Sequence, residues 1–241
     1  MTPLDGLTAV LVLGAASTVA AIAGFGFALL AMPLLSVAIG PTSALAVVSL
    51  VSVVNSGATA LSARTEAERG VLRRQVPAAF AGMPLGIAVL ESMSGRVLQI
   101  AIAGTVALVA TVIAFRLRLP PLGERADVVA GLTSGTLATS TGMSGPPLVF
   151  NLQSKRLPAA TVRATMASHF VATGWVSTAL LALRGHIDRG DAFVALAALP
   201  VMLATWRLGA MSFTRISQRR YETMIASLLF ASAVTAFVRA L

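Results

Sequence analysis

The 241-residue chain is 56% apolar and 11% charged, where soluble domains have about 45–50% and about 25%. This excludes an ordinary soluble fold, and the lack of any cysteine excludes disulfides, thiol catalysis and thiolate metal sites. The net charge of +9 is spread between apolar runs, so it reads as a topology signal facing cytoplasm and anionic lipid, not as a nucleic-acid surface.

Residues 6–63 contain no charge, a run far beyond the ~20 residues that one membrane span needs. No Lys or Arg precedes it and no small-residue cleavage site ends it, so it reads as retained membrane chain and not as a signal peptide. Residues 6–40 are too long for one helix and short for two full ones. Gly24-Phe25-Gly26-Phe27 interrupts that stretch near its middle, which predicts a broken or re-entrant element. A helix over 42–63 follows, with Asn55 at mid-span and Ser49, Ser52 and Ser56 beside it. The loop 64–74 sets Arg64, Arg69, Arg73 and Arg74 against Glu66 and Glu68. Apolar runs over 75–90 and 97–115 are joined by the short neutral link 91–96. Residues 116–127, with Pro120-Pro121, form the natural boundary between a first membrane repeat, 1–119, and a second, 120–241.

The second half follows the same order. Residues 128–154 are broken by Gly142-Met143-Ser144-Gly145-Pro146-Pro147, which forbids a continuous helix. Lys155, Arg156 and Arg163 mark the next gap. The run 164–183 carries Ser168, His169 and Thr173, and the loop 184–191 balances Arg184 and Arg189 against Asp188 and Asp191. His186 in that loop reads as solvated. A run over 192–206, a basic gap over 207–222 and a last run over 223–238 complete the chain.

Gly24 falls on Gly142, Pro41 near Pro158 and Pro84 near Pro200, each about 116–118 residues on, the matched punctuation of an internal transporter repeat. The basic loops 64–74, 116–127 and 207–222 should be cytoplasmic, and the neutral links 91–96 and 184–191 external. This places the two halves in opposite orientations. The fold expected is an all-α polytopic membrane protein of two inverted repeats. Each has a glycine-broken segment, re-entrant or discontinuous, followed by three membrane helices, for nominally eight transmembrane segments.

Non-helical backbone at membrane depth is tolerated where it lines a wet cavity, so the two breaks are the expected substrate site. The freed N–H groups at the start of each following half-helix, 27–35 and 146–152, carry partial positive charge and suit an anion. Gly24, Phe25, Gly26, Phe27, Gly142, Met143, Ser144, Gly145 and Pro146 form the two tips, with Thr141 at the second break and Asn55 as polar contacts. On the repeat alignment Ser52 matches His169. An ionisable group within a charge-free run is a candidate for substrate contact or proton transfer. No carboxylate lies deep in a run, and no Walker A or His-Glu-x-x-His pattern occurs. No cofactor and no metal are therefore expected, and ATP-driven pumping and intramembrane metalloproteolysis are set aside. The rival readings are an anion channel using the same tips as a filter and an integral-membrane enzyme built on His169 or on His186, Asp188 and Asp191.

The segments Ala23-Gly24-Phe25-Gly26-Phe27 with Pro33-Leu34, and Gly142-Met143-Ser144-Gly145-Pro146-Pro147 with Leu148, resemble the paired glycine motifs of the TauE/SafE family of sulfite and organosulfonate exporters. The resemblance extends over the whole chain. It departs from the glycine-rich pattern at Phe25 and Phe27, and at Asn151 where Pro33 has its counterpart. The resemblance implies secondary transport of a small sulfur-containing anion such as sulfite, thiosulfate or an organosulfonate. The expected protein is a multi-pass transporter of the bacterial inner membrane; export would run with the membrane potential, and uptake would need a coupled proton or sodium ion.

Overall fold

The computed structural model describes residues 3–23, 25–63, 65–114 and 123–212, which form nine α-helices and no strand. They are α1 (Pro3–Ala23), α2 (Phe27–Ile39), α3 (Pro41–Ala63), α4 (Arg69–Ser92), α5 (Gly95–Ala114), α6 (Glu124–Ser140), α7 (Gly145–Ser154), α8 (Ala159–Leu183) and α9 (Arg189–Ser212). Four stretches among the described residues are long and apolar enough to cross a membrane: Asp5–Ile22, Pro41–Ser62, Ala159–Leu183 and Arg189–Met211. The helices Phe27–Ile39 and Gly95–Val109 are apolar but shorter. Gly24, most of the linker 116–127 and the last expected run, 223–238, lie outside the described residues.

Local chemistry fixes the helix ends. Gly40, at φ 85°, stops α2 and Pro41 opens α3, the fixed φ of proline suiting a first turn. The Glu68 side chain accepts from the Gly70 N–H at 3.3 Å and caps α4, satisfying a donor that the helix start leaves free. Glu124 and Asp127 lie in the first turn of α6, where the helix dipole favours negative charge.

α1 packs against α9, α3 against α8, and α4 against α6, while α2 sits on α1 and α3, and α7 on α6 and α8. α4 and α6 run the same way, because Arg74 meets Asp127 at one end and Gly86 meets Thr139 at the other. α1 and α9 also run together: the Thr18 hydroxyl donates to the Thr205 carbonyl at 3.4 Å, and Gly209 lies against Thr18 and Ala21. α3 and α8 are antiparallel, with Thr178 donating to the Ser49 carbonyl at 3.2 Å and Val53 touching Gly174.

The α4–α6 crossing is built on glycine. A β-carbon at Gly82 would strike the Leu132 carbonyl, at Gly86 that of Thr136, at Gly131 that of Gln75 and at Gly135 that of Ala79. Gly82 and Gly86, like Gly131 and Gly135, have the four-residue spacing of small residues that lets membrane helices pack backbone to backbone. Thr136 Oγ1 donates to the Gly82 carbonyl at 3.1 Å and Thr139 Oγ1 to that of Met83 at 2.8 Å.

α7 doubles back along α6. Lys155, just past its end, has Nζ 3.0 Å from Asp127 Oδ1. Arg74 Nε is 2.8 Å from Asp127 Oδ2, and Arg74 Nη1 is 3.0 Å from Glu124 Oε1. Gln75 Nε2 donates to Asn151 Oδ1 at 3.2 Å nearby. The sequence puts Asp127 in a linking loop; the structure buries it completely, because two cations from other elements converge on it.

Candidate functional site

Two turns face a common cavity. The first joins α1 to α2, with Gly26 at φ 94° and its carbonyl accepting from Leu30 N–H at 3.1 Å. The second joins α6 to α7, with Gly142 at φ 74°, after Thr141 N–H has closed α6 on the Leu137 carbonyl at 3.1 Å. Both glycines occupy left-handed conformations that cost other residues strain. The helices that follow, Phe27–Ile39 and Gly145–Ser154, outrun the expected 27–35 and 146–152.

The cavity between these turns and the facing sides of α3 and α8 has a volume of about 70 Å³, room for several waters or one small oxyanion where a single water needs ~10–15 Å³. Phe25, Gly26 and Phe27 line it from the first turn, and Gly142, Met143, Ser144 and Gly145 from the second. Ser52 and Asn55 line it from α3. Three nominated residues do not. Thr141 is buried and its hydroxyl donates to the Leu137 carbonyl at 3.3 Å. Pro146 is buried in the first turn of α7. His169 is fully buried, with Nε2 3.3 Å from Ser134 Oγ and its ring edge-on to Phe170. Its Nδ1 has no partner. His186 is not simply solvated either, since its Nε2 lies 3.6 Å from Glu91 Oε1.

The helix starts explain the position of His169. Phe27 and Gly145, like Pro41 and Ala159, are 118 residues apart. On that register Ser52 corresponds to Phe170, and Phe170 lines the cavity. His169 is one residue earlier, about 100° around a helix of 3.6 residues per turn, which turns it to α6. Ala20 and Ala138 pair in the same way, as do Ser49 with Ala167 and Thr59 with Ser177, all lining residues. Thr59, Phe170, Gly174 and Ser177 were not singled out from sequence. Their signal was present in the three- and four-residue spacing of Ser49, Ser52, Ser56 and Thr59 along one helix face.

No lining residue is charged. Polar contact comes from hydroxyls, from Asn55 and from backbone N–H groups left free at a helix start. Ser17 Oγ lies 2.7 Å from Asn55 Oδ1 and 3.0 Å from the Met202 carbonyl oxygen, so its single hydrogen serves one of the two and Asn55 is held on that side by α1. Neutral donors converging on an uncharged space of this size suit a small anion that sheds its hydration shell. Among the described residues no group of His, Asp or Glu is arranged to hold a metal ion.

A family model described as Sulfite exporter TauE/SafE matches residues 9–236. The chain is 32% identical over 219 residues to a Cupriavidus necator protein named "Probable sulfite/organosulfonate exporter TauE", covering 86% of this chain and 83% of that one. No solved structure matches.

Proposed function

We propose a substrate and a route from one premise: the chain belongs to the sulfite exporter TauE/SafE family. It is therefore a membrane transporter and not an enzyme. In our reading it is a secondary transporter of the bacterial inner membrane that carries a small sulfur-containing anion by alternating access. Sulfite, thiosulfate and organosulfonates are the substrate class. The anion sits between the two turns, touched by Gly26, Gly142, Ser144 and Gly145, with Ser52 and Asn55 on the α3 wall. Gly24, Phe25, Phe27 and Met143 complete the tips, and Thr141 and Pro146 brace the second turn from behind. The observation that carries this is the uncharged cavity on which both glycine turns converge.

The architecture in this reading is a pair of inverted repeats, 1–119 and 120–241, with eight membrane segments. The packing supports it: exchanging the two halves turns the α1–α9 contact into the α6–α4 contact and maps α3–α8 onto itself. With the basic loops in the cytoplasm, α1–α2 enters from outside and α6–α7 from inside. Such a cavity at the repeat interface is where transporters of this construction hold substrate. An inside-negative potential expels an anion without further coupling; import requires a proton or sodium ion. His169 lies behind the wall, so a proton it carried would require α6 and α8 to part.

Protein in liposomes loaded with sulfite should show saturable efflux that external sulfite or thiosulfate accelerates, and an inside-negative potential should speed net export. Large unsaturable currents would instead identify a channel. Absence of both exchange and current for every sulfur anion refutes the reading.

A further inference from the structure

We infer that Trp206, which stands outside the cavity, is a positioning residue for the bound anion: its indole N–H commits the Thr59 hydroxyl to donating into the cavity. This rests on the transport reading above and adds two residues to its site.

Thr59 is buried and lines the cavity from α3, one helical turn beyond Asn55. Trp206 Nε1 lies 3.0 Å from Thr59 Oγ1. An indole nitrogen carries a hydrogen and has no lone pair to offer, so the direction of this bond is fixed. Trp206 donates and the Thr59 oxygen accepts. The hydroxyl is left with its single hydrogen to place. Along α3 it has the Asn55 carbonyl, at a long 3.4 Å; toward the cavity it has the oxygens of a bound anion. A hydrogen bond to an ionised acceptor is roughly twice as strong as one between neutral groups, so the hydrogen turns to the anion when one is present. The Asn55 carbonyl loses little, because the regular ladder of α3 already supplies it with the Thr59 backbone N–H. A chain running from indole N–H to hydroxyl to anion also polarises along its length, each bond strengthening the next.

The opposite wall shows that this arrangement is not a demand of packing. At the 118-residue register Thr59 corresponds to Ser177, which also lines the cavity. Ser177 Oγ donates to the Gly174 carbonyl at 3.1 Å, a closer bond into its own helix than Thr59 makes. The position matching Trp206 is Ala88, which has no side-chain donor. Two hydroxyls thus occupy equivalent places, and the tryptophan stands behind one of them. A tryptophan near a helix end can also anchor a span at the membrane surface. That role uses the ring and needs no partner for its N–H on α3. Trp206→Phe separates the two roles, since it keeps an aromatic ring and removes the donor.

The test is calorimetric binding of sulfite to the full-length purified protein, joined to tryptophan fluorescence. Trp206→Phe should weaken sulfite by about two- to tenfold, the range that one hydrogen bond spans, with its melting transition retained. Thr59→Val should weaken it at least as much, and Thr59→Ser, which keeps the hydroxyl, should restore binding. Adding Trp206→Phe to Thr59→Val should cost nothing further, because the two residues act through one bond. Trp175 and Trp206 are the only tryptophans of the chain, and Trp175 is exposed on α8, so Trp175→Phe leaves an emission that reports Trp206 alone. Sulfite should move that emission to longer wavelength, as the Thr59 oxygen becomes a stronger acceptor, and Thr59→Val should abolish the shift. Unchanged affinity in Trp206→Phe, or a second full loss in the double variant, overturns the inference and leaves the transport reading standing. So does a Trp206 emission that sulfite does not move while it binds. Sulfite that fails to bind the wild type overturns both.

Discussion

Gly135→Ala is the sharpest test of how α6 is held. The added β-carbon would overlap the Ala79 carbonyl and crowd its Cα, so α4 and α6 must separate. Overpacking of this kind costs about 1–3 kcal/mol. Separation also stretches the Thr136–Gly82 and Thr139–Met83 hydrogen bonds, now 3.1 and 2.8 Å, each worth about 0.6 kcal/mol between membrane helices. The sum, about 2–4 kcal/mol, should lower the melting temperature of the detergent-solubilised protein by about 10 °C at the ~2–4 °C per kcal/mol typical of chains this size. Gly104→Ala is the matched control, because a β-carbon there meets nothing within 4 Å. It should melt at or slightly above the wild-type temperature, since alanine is the better helix former. Sulfite binding should fall in Gly135→Ala, because α6 carries the turn at Gly142. If the two variants melt together, the backbone-contact account of the crossing is wrong.

Gly142→Ala should lose transport more severely than Gly26→Ala. Both force a positive φ, costing about 1–2 kcal/mol, but only at Gly142 would the methyl also press on Leu45 and Met32, at 3.0 and 3.1 Å; equal flux in liposomes would contradict this. Asp127→Asn strands Lys155 and leaves Arg74 only Glu124, and should destabilise the protein by about 3 kcal/mol, the low end for breaking a buried pair, because Arg74 keeps that partner and 32% of its side-chain exposure. Chemical denaturation reads this, and a change under ~1 kcal/mol would show that the cluster is a solvated pair. Asn55→Leu should abolish anion binding with its fold intact, seen as a retained melting transition and no calorimetric heat; unchanged affinity would remove Asn55 from the site.

Much of the architecture is legible in the sequence because a charge-free run leaves few alternatives to a helix. The breaks at Gly26 and Gly142 are legible because glycine and paired prolines punctuate such runs. The tight α4–α6 crossing was written in the spacing of Gly82 with Gly86 and Gly131 with Gly135, but glycines this far apart in sequence do not name their partner. Asp127 looked like a loop residue because its partners, Arg74 and Lys155, lie on other elements. His169 misled for a geometric reason. Its identity is the most chemically distinctive on α8, yet rotation of the helix gives the cavity to Phe170 and sends the imidazole to Ser134. Chemistry can be read from a residue type, whereas the direction of a helical side chain depends on a register that one residue changes.

The exchanged pairing of α1 with α9 and α4 with α6 has a consequence for how the chain is made. The α1–α2 hairpin leaves the ribosome well before α9, and the helix against which α1 packs begins only at Arg189. At the ~5–20 residues per second of protein synthesis, the hairpin waits roughly 10–30 s for that surface. Its exposed Thr18 and Gly14 must be sheltered meanwhile by lipid or by the insertion machinery. Translation cut short before α9 should therefore yield a product whose first hairpin never settles, which quality-control proteases would clear. A gene split at residue 119 should work only when both products are made in the same cell.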